Sequence, residues 1–159
     1  MLVFRTVGAC MLALCGVLSA VNLNARASAS LSQIEAWIRL LHLVKTQIEC
    51  FSVPMPEILK RLDVSLLRSC GYSGKTPPRS LGELVGGCDI RDAECMSVMD
   101  SFAGEFGGGY RDEQVKRCDY FIALLDRRRD AVSAQLPSKK KLNATLCVTG
   151  ALAIVILFL

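Results

Sequence analysis

Histidine occurs once in this chain, at His42, and tryptophan once, at Trp37; aromatic residues fill 6% of 159 positions. Basic residues are not interleaved with aromatics and no recognisable module surrounds them, so the net charge of +4 does not indicate a nucleic-acid partner. Eight cysteines are present, yet no two share a Cys-x-x-Cys spacing. Five of them, Cys50, Cys70, Cys88, Cys95 and Cys118, lie in the middle of the chain, and an odd set with no histidine nearby argues against both a disulfide framework and a zinc site. Free thiols that behave as small hydrophobes are expected instead, as in a reducing cytosol. No segment alternates with period two, which removes strands and leaves an all-α class.

Catalytic groupings are equally scarce. There is no nucleophile–base pair, no metal cluster and no phosphate cradle, so neither an enzyme nor a cofactor nor a small-molecule substrate is expected. Gly74-Lys75-Thr76 superficially suggests a phosphate loop. That motif needs a glycine where Ser69 stands, and a helix opening at the lysine; Pro77-Pro78 blocks such a helix.

Charge is missing from two long stretches. Leu142–Leu159 contains none and follows the triplet Lys139, Lys140, Lys141. As a helix it would reach about 27 Å, close to the hydrocarbon thickness of a bilayer. Near the other end, Thr6–Ala25 is uncharged and Arg5 precedes it. The first stretch reads either as a cleaved signal, with Ala25-Arg26-Ala27 or Ala27-Ser28-Ala29 as the cleavage site, or as an uncleaved span. The distribution of cations favours the span: Arg26, Arg39, Arg127, Arg128, Arg129 and the lysine triplet flank the middle, against Arg5 on the far side. The expected layout is a transmembrane helix at 1–25, a cytoplasmic helical domain at 28–137 and a second transmembrane helix at 142–159.

The middle has helical periodicity. Ser30 and Gln33 read as a capping box before a stripe of Ile34, Trp37, Leu41, Val44, Ile48 and Phe51, widened by Leu40 and Leu43. Val53-Pro54 ends this helix. Pro56 and Glu57 open a shorter one carrying Ile58, Leu59, Leu62 and Leu66, with Gly71 as its stop. Ser80–Val85 predicts one or two turns. Asp92 opens a helix whose face is Cys95 or Met96, Met99, Phe102 and Phe106, ended by Gly107-Gly108-Gly109. Asp112 is expected to cap the last cytoplasmic helix, with its stripe at Val115, Cys118, Ile122, Leu125, Val132 and Leu136 interrupted by Arg129, and Pro137 is expected to end it. Helices joined by short turns predict a small antiparallel bundle between the two anchors.

The order of these features resembles the stage III sporulation protein AB family of spore-forming bacteria. Phe102-Ala103-Gly104-Glu105-Phe106-Gly107 and Gln114 resemble its aromatic-glycine stretch and its glutamine. Lys140-Lys141-Leu142 with Gly150–Leu157 resembles its closing anchor, and Gln33–Ile48 and Pro56–Leu62 its first soluble helices. Ala103 and Cys147 stand where the family has glycine, and Tyr110 where it has aspartate. The resemblance implies a non-enzymatic subunit in the mother-cell membrane facing the forespore, within a secretion-like channel complex. Its domain would be similar to those of the type II secretion inner-membrane platform protein. The implied partners are a cytoplasmic secretion-type ATPase, other membrane subunits of the channel and the lipid bilayer. On that reading Arg127 and Arg128 are expected to meet an acidic partner surface, and Lys139, Lys140 and Lys141 the lipid headgroups at the membrane rim. The alternative is a secreted or surface-anchored helical binding module with a cleaved N-terminal signal.

Overall fold

The computed structural model describes the backbone of residues 2–51, 53–106 and 110–158, and the side chains of 18–19, 21–51, 53–106, 110–147, 149–150 and 153. Its helices are α1 (Leu2–Phe51), α2 (Met55–Lys60), α3 (Val64–Ser69), α4 (Leu81–Gly86), α5 (Ala93–Glu105) and α6 (Arg111–Phe158). No strand occurs among the described residues, where one isolated antiparallel bridge joins Tyr72 to Cys88. The chain is therefore all-α. It divides into two compact units, one of Ser30–Val132 and one of Met1–Ala29 with Ser133–Leu159.

The 30–132 unit is a helical bundle around an apolar core. The predicted stripe of α1 supplies Ile34, Trp37, Leu40, Leu41, Val44 and Ile48, all buried. Ile58 and Leu59 of α2, Leu67 of α3, Leu84 of α4, Met99 and Phe102 of α5, and Phe121 and Leu125 of α6 close over it. The Phe102 and Phe121 rings meet edge to face at 5.3 Å, a favoured aromatic geometry. Each fully buried large side chain contributes about 1.5–3 kcal/mol relative to exposure. Trp37 is completely enclosed and its indole Nε1 has no hydrogen-bond partner, so packing alone holds it.

Helix starts follow short polar side chains. Ser80 Oγ accepts from the Glu83 amide at 3.1 Å, and Glu83 Oε2 accepts from the Arg79 amide at 2.7 Å, a near capping box at α4. Asp92 caps α5 by accepting from the Cys95 amide at 2.9 Å. The Gly74-Lys75-Thr76 loop is exposed and the next helix begins only at Leu81, so no helix opens at the lysine.

Several expectations are corrected. Ser30 is not a cap, because α1 runs through it, and the Gln33 side chain turns inward instead. The stripe of α1 stops at Ile48: Phe51 is 67% exposed and Leu43 also faces solvent. The single helix expected over Pro56–Leu66 is two, because Asp63 accepts from the Ser65 amide at 3.0 Å and starts α3 afresh; Leu67, not Leu66, then becomes the buried leucine. Asp112 lies inside the first turn of α6 rather than at its cap. Pro137 does not end α6. It is exposed, as is Ser133 four residues earlier, whose carbonyl loses its helical donor to the proline. Gly107-Gly108-Gly109 lies outside the described residues, and α5 already ends at Glu105.

Within the other unit, the Asn143 side chain donates to Asn24 Oδ1 at 3.3 Å. Thr145 Oγ donates back to the Lys141 carbonyl at 2.9 Å, a bond internal to the helix. Leu18, Val21, Leu142 and Leu146 are exposed. Among the described residues no helix is long and apolar enough to cross a membrane. The expected spans at 1–25 and 142–159 fall largely on side chains outside that description.

Candidate functional site

Two polar constructions organise the 30–132 unit. The first is centred on Gln33, 7% exposed. Its Nε2 donates to the Cys70 carbonyl at 2.9 Å and to the Asp89 carbonyl at 2.7 Å, and its Oε1 accepts from the Arg91 amide at 3.1 Å. One side chain of α1 thereby satisfies three backbone groups of the connecting segments after α3 and α4. Gly71 makes room for it. Its φ is +96°, and a Cβ there would run into the Gln33 amide and lie 2.8 Å from the Asp89 carbonyl oxygen. Sequence reading missed this role, since the partners are 37, 56 and 58 residues away.

The second construction holds Arg128. Its Nε and Nη2 donate to the two oxygens of Asp92 at 2.9 and 2.8 Å, a fork-to-fork pair, and its Nη1 contacts Glu94 Oε2. The Asp92 side chain is only 11% exposed. Burial pushes its carboxyl upward, but the bonds from Arg128 and the Cys95 amide outweigh that and hold it below the usual carboxylate range. The hydrogen bond to Asp92 in turn raises Arg128. The helix cap of α5 and the clasp to α6 are thus one carboxylate.

The two arginines expected to face a partner therefore part company. Arg128 is engaged within the domain, and Arg127 is exposed on the outward side of α6. Arg129 bonds Asp126 and Asp130, both at 2.8 Å, across the surface of its own helix. Lys139, Lys140 and Lys141 are all exposed. Tyr110 is 84% exposed, whereas Ala103 and Cys147 are half-buried. Ala103, Phe106 and Gln114, taken from the stretch that carries the family resemblance, line one open groove of about 450 Å³ together with Met55, Arg79 and Leu81.

The described cysteines are free thiols. Burial raises Cys88 and Cys95 to about 12 and Cys118 to about 11, and raises Cys70 further. Such groups stay protonated and are poor nucleophiles. Cys50 is the exposed exception among them. Among the described residues no three metal-ligating side chains converge.

No family model matches the chain, and neither a curated protein nor a solved structure matches it.

Proposed function

We propose that this protein is a non-enzymatic platform subunit of a secretion-like channel complex in a sporulating cell. On this reading it is anchored in the mother-cell membrane by helices at 1–25 and 142–159, with the 28–137 domain in the cytoplasm. The observation that carries the reading is the placement of charge. Long uncharged stretches lie on both sides of a domain whose flanks are rich in cations, and Lys139, Lys140 and Lys141 stand exposed just before the second stretch. Lysines beside an anionic leaflet attract it by roughly 1 kcal/mol each. Exposed Leu18, Val21, Leu142 and Leu146, alongside an Asn24–Asn143 bond, also suit helices that turn apolar groups toward lipid and pair polar groups with each other. The domain would couple a cytoplasmic secretion-type ATPase to other membrane subunits of the channel. Arg128 is occupied within the domain, and Arg127 is the exposed member of the arginine pair.

Thiol labelling in intact cells tests the topology. Cys50 is the suitable reporter, because Cys95 is buried and would fail to label on either side of a membrane. The expected result is no reaction of Cys50 with an impermeant reagent until the cells are lysed, with Cys50→Ser as the control. Labelling before lysis would place the domain outside and favour the secreted binding module instead.

A further inference from the structure

The side of α6 opposite its buried stripe presents Lys116, Asp119, Tyr120, Ala123, Arg127 and Asp130, every one exposed. Their spacing of three and four residues keeps them on one face. The charges have an order. Counting outward from Ala123, Asp119 and Arg127 stand four residues away on either side, and Lys116 and Asp130 seven. Read in reverse, each position carries the opposite sign. A second α6 laid antiparallel, with the two Ala123 residues facing, therefore sets Lys116 at the height of Asp130 and Asp119 at the height of Arg127, twice over. At 1.5 Å per residue these pairs fall about 6 and about 10 Å from the crossing point.

The groups needed for such pairing are available. Lys116 and Arg127 have no ion pair or hydrogen bond among the described residues. Among the described residues the Asp119 carboxylate is bonded only through Oδ1, to Lys45 at 2.6 Å, and that of Asp130 only through Oδ1, to Arg129 at 2.8 Å. Each carboxylate keeps Oδ2, and their side chains are 54% and 70% exposed. Ala123 puts a small side chain at the crossing, where helix axes approach to roughly 8–10 Å. Tyr120, 60% exposed, has its ring fixed edge to face on Phe121 at 5.2 Å. In the antiparallel register the second copy's Arg127 arrives beside Asp119 and Tyr120, where a guanidinium can bond the carboxylate and lie over the ring.

We propose that this face of α6 binds the same face of a second copy of this chain, as a two-fold antiparallel helix pair crossing at Ala123. A foreign acidic surface fits less well, because Asp119 and Asp130 would repel it from the same face that Lys116 and Arg127 attract. A two-fold interface uses each residue once on each side and satisfies all four charges. The contact covers about four turns of helix, so the dimer is weak. The inference does not depend on the platform reading, since it concerns the 30–132 unit alone.

Sedimentation equilibrium on the purified full-length protein in detergent tests it, with circular dichroism to verify folding of each variant. Wild type is expected to show a concentration-dependent monomer–dimer equilibrium. R127D and D119R should each weaken it by about tenfold or more, and the double variant R127D/D119R should recover it, because the signs are exchanged on both copies. Separately, A123C should form a covalent dimer under mild oxidation, in a Cys50→Ser background, where a cysteine at Arg111 does not. Wild type that stays monomeric, a double variant as weak as the singles, or equal cross-linking at positions 111 and 123 would overturn the proposal. So would R127D that keeps wild-type self-association while losing an ATPase partner, which would assign the face to an acidic protein. Failure of the platform topology would appear in the Cys50 labelling and leaves the sedimentation and cross-linking outcomes unchanged.

Discussion

The two units solve the same problem, packing α1 segments and α6 segments, by different means. In the 30–132 unit apolar side chains point inward and polar groups reach across long sequence distances: Gln33 to Cys70, Asp89 and Arg91, and Arg128 to Asp92. In the unit of 1–29 and 133–159, described leucines and a valine face outward and the cross-helix bond is Asn143 to Asn24. The difference teaches where water is assumed. The first arrangement keeps its apolar groups from water, while the second leaves its described apolar groups exposed. An amide serves in each, but Gln33 is enclosed with three backbone partners and Asn143 is half-buried with one.

Substitutions can break or sharpen this contrast. The largest effect is expected from Trp37→Asp, which replaces the most enclosed ring by a carboxylate with no partner, at roughly 4 kcal/mol or more. Loss of the cooperative thermal transition of the full-length protein would report it; an unchanged melting temperature would mean the helix face is misassigned. Next is Gly71→Ala, which meets both a left-handed φ and the Gln33 amide, and should cost about 2–3 kcal/mol in denaturant titration. Gln33→Ala should follow at about 2 kcal/mol, since it leaves the Cys70 and Asp89 carbonyls and the Arg91 amide short of a partner.

Arg128→Gln should cost on the order of 1–2 kcal/mol and change the response to acid. Because the folded state holds the Asp92 carboxyl below its unfolded value, its contribution is complete above about pH 4 and is lost as pH falls through the lowered value. Melting temperature measured from neutral to acid should decline less steeply over that window in the variant than in wild type. The smallest effect is expected from Asn143→Ala. One part-buried cross-helix amide bond contributes about 0.5–1.5 kcal/mol, so its melting transition should move less than that of Gln33→Ala.

Much of the helical layout was legible because its causes are local. The three-and-four spacing from Ile34 to Ile48 marks a buried stripe, and Ser80 and Asp92 announce helix starts. Local signals also misled. Ser30 with Gln33 has the form of a capping box, but the Gln33 amide has better partners in segments that sequence proximity does not reveal. Pro137 looks like a terminator, yet an exposed helix tolerates the missing bond. Asp63 is a cap that the leucine periodicity around it concealed. The candidate site was less legible than the fold. The spacing of three from Leu125 turns Arg128 toward the packed side and Arg127 away from it, but only the approach of α5 to α6, which brings Asp92 within reach, makes Arg128 a clasp.

The solitary, sealed Trp37 has a spectroscopic consequence. All indole fluorescence of the molecule comes from one point in the 30–132 core. With Nε1 unbonded and the ring shielded from solvent, emission should be blue-shifted and hard to reach with soluble quenchers. It is a built-in gauge of core opening that does not respond to events confined to the outward face of α6. Pairing of two chains there would leave the spectrum unaltered, while release of α1 would shift it to the red.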